Sequence, residues 1–172
     1  PARGGSSIGV SKVSTWEEFP AAVALALEDD EKILVEPEIV GQEVEIGVLH
    51  YADGTLLASV PALLAGIDDS DEGFYGFDTK YLDNVVTAEI PAPFAPELTE
   101  KLRDMAIRAF EALNCEGLSR VDFFVTEDSV YINEINTLPG FTPISMYPQV
   151  LAASGVEYPA LLEALIEQAL AK

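Results

Sequence analysis

Four polar side chains at regular spacing in the last third of the chain could perform chemistry together. Arg120 and Asp122 lie two residues apart in one apolar run, and Glu134 and Asn136 lie two residues apart in the next. Because side chains alternate along a strand, each pair is expected on one face of its strand. Carboxylate and amide oxygens suit Mg²⁺, and a guanidinium suits oxygens that gain negative charge. This spacing favours a phosphoryl-transfer site, but an exposed salt bridge on an ordinary hairpin fits it equally well.

The two apolar runs must form a hairpin if these side chains are to meet. Residues Leu118–Thr126 and Val130–Ile135 are rich in Val, Ile, Phe and Tyr, as strands are, and residues 127–129 separate them. A loop of these three residues would pair Thr126 with Val130. That register sets the four polar residues opposite each other in two pairs, Asp122 with Glu134 and Arg120 with Asn136.

Composition limits the partners that the chain can bind. Among 172 residues, 9 are Lys or Arg and 30 are Asp or Glu, which gives a net charge of −21. Such a surface argues against nucleic acid and anionic membrane as partners. Binding of a nucleotide, itself an anion, would need Mg²⁺, backbone N–H groups and a few local cations such as Arg3, Lys80 and Arg120.

Cysteine and histidine usage excludes other site classes. The single cysteine, Cys115, allows no internal disulfide, and the single histidine, His50, has no spacing typical of a zinc site. The sequence shows no signal peptide and no apolar run of transmembrane length. We therefore expect a soluble, cytoplasmic protein.

A glycine-rich stretch lies at the start of the sequence. Residues 3–9, RGGSSIG, combine glycines, two hydroxyls and a run of backbone donors, which can form a concave anion site. The Walker A ending is absent. On sequence alone a flexible surface turn explains this stretch as well as a phosphate loop does.

The remaining elements follow from capping signals and periodicity. Ser14 and Glu17 have capping-box spacing, which predicts a helix from Thr15 to about Glu28 with a buried face of Trp16, Phe19, Val23 and Leu27. Further strands are expected at Lys32–Glu36, Glu43–His50 and Leu56–Pro61. Two more helices are expected, one over Pro96–Leu113 and one from Pro159 with Leu161, Leu162, Leu165, Ile166 and Ala169 facing inward.

Several ordered segments together resemble one enzyme family. The runs GLSRVDFF and INEINTLPGFTPISMYP are similar to the carboxyl-terminal part of D-alanine–D-alanine ligases, which are ATP-grasp enzymes, and so are PARGGSSIGVSKV, VEPEIVGQEVEIGVL and FYGFDTKYLD. The resemblance implies an α+β fold, in which an antiparallel sheet with packed helices forms the carboxyl-terminal ATP-grasp domain. Residues 37–172 would belong to that domain and residues 1–36 to a remnant of the central domain.

The resemblance also implies an activity. Members of the family phosphorylate the carboxylate of one D-alanine with ATP and let the amine of a second attack the acyl phosphate, which supplies a peptidoglycan precursor. In the family a phosphate-binding lysine directly precedes the PARGGSS motif, where this sequence begins. We expect this segment alone to be inactive, and the complete enzyme to be a homodimer.

Individual roles carry over to matching positions. Asp122, Glu134 and Asn136 would hold two Mg²⁺ ions, with Mn²⁺ as a substitute, and Arg120 would steady the reacting oxygens. The remaining roles are nucleotide binding by Ser6, Ser7, Glu36, Pro37, Ile39, Glu43 and Lys80, catalysis assisted by Ser6 and by the lid residue Tyr81, and substrate binding by Arg120, Gly140, Ser145 and Met146.

The sequence departs from the family in two places. Pro37 has no N–H to offer adenine. Residues 62–73, with their acidic run DDSDEG, replace a segment in which many relatives have Gly-Glu-Ile. Two other functions stay open at this stage, a different ATP-grasp carboxylate–amine ligase and a non-catalytic nucleotide-binding domain.

Overall fold

The computed structural model describes residues 1–65 and 87–171, which divide into two units. The first unit contains residues 1–39, and the second contains residues 40–65 and 88–171. The candidate hairpin lies in the second unit.

A mixed-length antiparallel sheet forms the centre of the second unit. Its longest strands follow the β-branched and aromatic runs of the sequence, because such side chains pack well on a pleated surface. The strands are β1 (Gln42–His50), β2 (Leu56–Ala58), β3 (Ala62–Ala65), β4 (Thr87–Glu89), β5 (Leu118–Val125) and β6 (Val130–Asn136). Their order across the sheet is β4-β3-β1-β5-β6, and β2 also pairs with β1.

One long helix covers one face of this sheet. Helix α2 (Pro96–Ala112) begins with a proline at a position where no intrahelical N–H donor is needed. Its buried residues Leu102, Ala106 and Phe110 pack against alternate residues of the two central strands, which include Val44, Ile46, Val48, Val121 and Phe123. Each fully buried side chain of this size contributes about 1.5–3 kcal/mol of transfer free energy. This core fixes β1 and β5 side by side.

Two shorter helices cover part of the opposite face. Helices α3 (Met146–Ala153) and α4 (Tyr158–Leu170) enclose a second core with Leu49 of β1. Gly47 allows this close approach, because a Cβ at that position would lie 2.5 Å from Leu151 Cδ2. The rest of that face carries the polar residues of β5 and β6.

The predicted elements of the second unit are largely confirmed. The strands at residues 43–50, 118–126 and 130–135 and the helix beginning at Pro96 are present within one residue or a few of the expected bounds. The strand predicted over Leu56–Pro61 ends at Ala58, and β3 and α3 were not predicted. Leu113, predicted as the last residue of the inward face of the helix from Pro96, lies after the end of α2 and is 62% exposed. In α4, Leu162, Ile166 and Ala169 are exposed, so these three do not face inward as predicted.

Two predictions in the first unit are wrong. Helix α1 spans Phe19–Asp29 and so begins four residues later than expected. Glu18, not Glu17, accepts hydrogen bonds, from the backbone N–H groups of Ser14 (2.8 Å) and Thr15 (3.3 Å), and this closes a turn before the helix. The predicted buried face is also wrong, because Trp16 is 81% and Leu27 is 50% exposed.

The strand predicted over Lys32–Glu36 is likewise wrong. No strand is assigned to those residues. A strand requires a ladder of backbone bonds to a neighbour. The hydrogen bond from Ala2 N–H to the Lys32 carbonyl (2.9 Å) is an isolated backbone link and does not make such a ladder.

Candidate active site

The β5–β6 hairpin brings the four predicted residues together. Asp122 lies opposite Glu134, and Arg120 lies opposite Asn136. The pairing near the turn differs from the predicted one, because Val125 and not Thr126 pairs with Val130. Between these two points β6 contains one extra residue, Asn133, because Phe123 pairs with Ile132 while Asp122 pairs with Glu134. This bulge restores the predicted pairing of the polar residues.

Arg120 and Asp122 form a bidentate pair along one strand. Arg120 Nε donates to Asp122 Oδ1 and Nη2 donates to Oδ2, each at 2.7 Å. The two side chains are only 18% and 13% exposed. Parallel N–H···O bonds of this type fix both planes, so the guanidinium is held in one orientation.

Asn136 links the two predicted carboxylate ligands. Its Nδ2 donates to Asp122 Oδ2 at 2.9 Å and lies 3.3 Å from Glu134 Oε1. Glu134 is exposed, so its carboxylate is available to a bound species. In this arrangement an amide N–H group and a guanidinium offset the negative charge of the two acids.

The sequence analysis did not identify Glu45 as part of this cluster. Glu45 lies on β1 directly opposite Asp122 and is 3% exposed. Its Oε2 is 3.2 Å from Arg120 Nε, which makes an ion pair across the strands. An acidic residue between Val44 and Ile46 in a strand was the available signal, because alternation turns it away from the apolar core.

The donor set fits a hard divalent cation. Glu45 and Asp122 contact the guanidinium of Arg120, and Glu134 lies opposite Asp122, so three carboxylates and one cation make the cluster negative overall, with the oxygen donors that Mg²⁺ prefers. In residues 1–65 and 87–171, no three or more His, Cys, Asp or Glu side chains are grouped to hold a metal ion. A third protein ligand would therefore be the amide oxygen of Asn136, after rotation of the amide.

The glycine-rich stretch has an unusual backbone. Ser6 and Ser7 have φ angles of 54° and 57°, and Gly9 has a φ of 71°. A left-handed conformation costs a non-glycine residue roughly 1–2 kcal/mol, so two such serines in succession form a strained turn. Backbone strain of this kind gathers at ligand-binding sites, which supports a binding role for Ser6 and Ser7.

Arg3, one of the local cations that the charge analysis suggested for a nucleotide, is held in an ion pair. Its backbone N–H and Nε donate to Asp30 Oδ2 at 2.9 and 3.0 Å, and Nη2 donates to Oδ1. These hydrogen bonds, with one from the Lys32 N–H, hold the pKa of Asp30 well below its usual range. Arg3 therefore joins the start of the glycine-rich stretch to the end of α1, and its contact with a nucleotide stays a prediction.

This pairing predicts a pH dependence. Because the pKa of Asp30 is lower in the folded than in the unfolded chain, the pair stabilises the loop above about pH 4 and loses that effect as the pH falls towards the folded value. We expect Asp30→Asn to remove most of the hydrogen-exchange protection of residues 2–9 at neutral pH. Protection should then no longer fall on acidification, in contrast to an exposed control, Asp104→Asn. Unchanged protection in Asp30→Asn would contradict the assignment.

The other predicted residues lie on both units. In the first unit Glu36 and Pro37 are exposed and Ile39 is half-buried. In the second unit Glu43 lies on β1 opposite Phe124, two residues before Glu45 and so on the same face of the sheet. Their roles in nucleotide binding stay predictions.

The predicted substrate residues lie where α3 begins. Ser145 is the residue before the helix, and its Oγ accepts a hydrogen bond from the Thr142 N–H at 3.1 Å. A Cβ at Gly140 would lie 3.0 Å from that Oγ, so glycine lets the turn close. Pro148 has no N–H and the N–H of Gln149 donates to the Ser145 carbonyl, so the N–H groups of Met146 and Tyr147 are the donors that the start of α3 could offer to a carboxylate. Lys80, Tyr81 and the acidic run at 68–73 lie outside the described residues.

Comparison with known proteins gives consistent matches. A family model described as "D-ala D-ala ligase C-terminus" matches residues 1–167. A D-alanine–D-alanine ligase from Corynebacterium efficiens is 65% identical over 170 residues, which cover 99% of this chain and 47% of that protein. The chain thus spans about half the length of the curated relatives it matches.

Solved structures agree with the sequence matches. The VanG D-Ala:D-Ser ligase from Enterococcus faecalis superposes with a TM-score of 0.83 at 34% identity, covering 98% of this chain and 48% of that one. A D-alanine–D-alanine ligase from Bacillus anthracis, complexed with ATP, gives a TM-score of 0.75 at 26% identity, covering 92% of this chain and 49% of that one.

Proposed function

Because the chain belongs to the D-ala D-ala ligase C-terminal family, an α+β ATP-grasp family, we propose that the complete protein joins two D-alanines with ATP. The observation that carries this proposal is the convergence of Arg120, Asp122, Glu134 and Asn136 on one face of the hairpin. The ATP complex of the Bacillus anthracis relative supports the choice of nucleotide. The ordinary role of the product is in peptidoglycan synthesis.

The proposed reaction needs no protein nucleophile. ATP transfers its terminal phosphoryl group to the carboxylate of one D-alanine, and the amine of the second attacks the resulting acyl phosphate to release phosphate. Arg120, with its plane fixed by Asp122, is suited to the oxygen that gains charge in both steps. We also assign Lys80 to the phosphates and Tyr81 to the lid that excludes water.

Metal binding is assigned to the hairpin. Asp122, Glu134 and Asn136 would hold one or two Mg²⁺ ions, with Mn²⁺ as a substitute. Bound Mg²⁺ would neutralise phosphate charge as it develops. The net negative charge of the cluster supports the assignment.

The nucleotide and amino-acid sites complete the proposal. Ser6 and Ser7 would donate to phosphate oxygens, and Glu43 would accept from the ribose hydroxyls, with Glu36, Pro37 and Ile39 near adenine. Ser145, Met146 and Gly140 would bind the carboxylate of the second D-alanine through hydroxyl and backbone N–H donors.

Phosphate release by the full-length protein tests the assignment. We expect release to require ATP, Mg²⁺ and D-alanine together, with D-alanyl-D-alanine as the product identified by mass spectrometry. L-Alanine serves as the control substrate. Absence of phosphate release with every amino acid would favour the non-catalytic nucleotide-binding alternative, which a Mg-ATP titration would then examine.

A second acceptor substrate is the leading alternative. The VanG D-Ala:D-Ser ligase (TM-score 0.83, 34% identity) and a D-alanine–D-alanine ligase from Coxiella burnetii (TM-score 0.81, 38% identity) superpose about equally well, so the fold alone does not choose between the two acceptors. To separate the two acceptors, D-alanine, D-serine and D-lactate are supplied together and the ratio of the products is measured. Predominant D-alanyl-D-serine would replace the proposed product and leave the metal and nucleotide assignments in place.

Ser6 and Ser7 provide a separate test of the nucleotide site. We expect Ser6→Ala and Ser7→Ala each to raise the KM for ATP about tenfold, because each loses a hydrogen bond to a charged phosphate. Ser7→Gly removes the same hydroxyl but tolerates the left-handed backbone. Recovery of the KM in Ser7→Gly would show that backbone conformation, not the hydroxyl, matters, and an unchanged KM in all three would contradict the assignment.

Assembly and location are also proposals. None of the described helices is long and apolar enough to cross a membrane. We expect the complete protein to act as a homodimer in the cytoplasm, where ATP is available. Size-exclusion chromatography with light scattering of the full-length protein measures the first of these.

A further inference from the structure

Glu45 is a buried acid in the middle of a sheet. It lies on the central strand β1, between Ala62 of β3 and Asp122 of β5, and its side chain is only 4% exposed. Placing a carboxylate there is unfavourable unless a positive charge compensates it. The compensating charge is Arg120, which reaches the carboxylate from the neighbouring strand at 3.2 Å.

Arg120 therefore lies between two carboxylates with different roles. Its Nε–H group points at Asp122 Oδ1, so its contact with Glu45 Oε2 is an ion pair and not a directed hydrogen bond. Asp122 is an assigned metal ligand, whereas Glu45 is enclosed by the sheet. In the described arrangement both oxygens of Asp122 accept from the guanidinium.

A divalent ion and Arg120 would share one carboxylate. Each Asp122 oxygen has two lone pairs and could accept from Arg120 and bind a metal ion together, but the two positive charges would then lie close to each other and weaken the hold of Asp122 on the guanidinium. Without another anchor, the guanidinium would either retain Asp122 or leave the site, and a flexible arginine gains entropy when it leaves. A second fixed carboxylate next to Nε removes that conflict.

We propose that Glu45 is a positioning residue that holds Arg120 in the site while Asp122 turns to the metal ion. The expected effect of Glu45 on catalysis rests on the proposed ligase function. Its expected effect on metal binding rests on the contacts among Glu45, Arg120 and Asp122. Glu45 touches neither metal nor substrate in this scheme. It acts through the guanidinium, and its negative charge also favours the nearby cation.

The test compares charge variants of Glu45 in the full-length protein. Mn²⁺ binding is measured by electron paramagnetic resonance with saturating AMP-PNP, and kcat and KM are measured separately. We expect Glu45→Gln to weaken Mn²⁺ binding and lower kcat, each by about 10–100-fold, as loss of a partner behind a metal ligand does. The KM for D-alanine should stay within about twofold, Glu45→Asp should restore part of both effects, and the exposed control Glu111→Gln should match the wild type.

A double variant distinguishes positioning from general damage. In an Arg120→Met background, adding Glu45→Gln should change kcat by less than about twofold, since the group through which Glu45 acts is gone. If Glu45→Gln alone fails to fold, this comparison still applies, because the double variant removes both charges. An equal loss of kcat in both backgrounds, or wild-type Mn²⁺ affinity in Glu45→Gln, would overturn the inference.

The experiment also separates this inference from the ligase assignment. If the wild type makes no dipeptide, the proposed function fails, but the Mn²⁺ comparison of the wild type with Glu45→Gln still decides whether Glu45 supports the metal site. If the wild type makes dipeptide and Glu45→Gln is unaffected, the function stands and the inference fails.

Discussion

Replacing Arg120 by methionine in the full-length protein is expected to lower kcat by about 10²–10³-fold, because it removes a positioned donor to the oxygen that gains charge. The same change should lower the free energy of unfolding by about 3–5 kcal/mol, since it removes the positive charge next to the buried carboxylate of Glu45. Urea unfolding monitored by circular dichroism measures the second effect. Methionine keeps much of the apolar volume, so the charge is the main loss.

Two further variants make this prediction specific. Arg108 is 74% exposed and only 3.7 Å from Asp104, so Arg108→Met should change stability by less than about 1 kcal/mol. Adding Glu45→Gln to Arg120→Met should recover much of the lost stability, because a neutral amide is less costly to bury. Equal stability of Arg120→Met and the wild type would show that water or another group already compensates Glu45.

The second large effect is expected for Glu134→Gln. Glu134 is exposed, and its Oε1 accepts a long hydrogen bond of 3.3 Å from Asn136 Nδ2, so the substitution should leave the melting temperature nearly unchanged. Loss of the carboxylate should nevertheless lower kcat by roughly 100-fold or more and weaken Mn²⁺ binding, because a neutral amide is a weaker ligand for a hard cation.

A matched variant and a clear contrary result complete this prediction. Glu111→Gln makes the same chemical change at an exposed position of α2 and should leave both kcat and Mn²⁺ affinity unchanged. Normal Mn²⁺ binding in Glu134→Gln would remove Glu134 from the ligand set. In that case the hairpin would need another oxygen donor, and Glu43, on the same face of the sheet, would be the first to test.

The hairpin shows how much of the site the sequence could predict. Alternation correctly places Asp122 opposite Glu134, yet the regular pairing assumed for the turn is off by one residue. Regular pairing would set polar Asn133 opposite buried Phe123 and turn Val130 away from the core. The extra residue in β6 avoids both outcomes. No local sequence pattern predicts this bulge, because it depends on the packing of α2 against the other face of the sheet.

Other failures have the same origin in distant contacts. The start of α1 was misplaced because Glu17 and Glu18 offer equivalent carboxylates, and only the folded turn selects Glu18. Glu45 was overlooked because its partner is 75 positions away in sequence, counting from 45 to 120. Family motifs indicated the ligand positions, but not the buried charge that supports them.

Gly47 has an implication for altering substrate choice. The strand that carries Glu45 touches α3 through this residue, where Leu151 and Tyr147 leave no space for a methyl group. A larger residue would have to displace the Leu151 and Tyr147 side chains of α3, the helix that Ser145 precedes. Under the proposed role of Ser145, varying the size of residue 47 would offer a route to altered acceptor choice that replaces no charged residue of the hairpin.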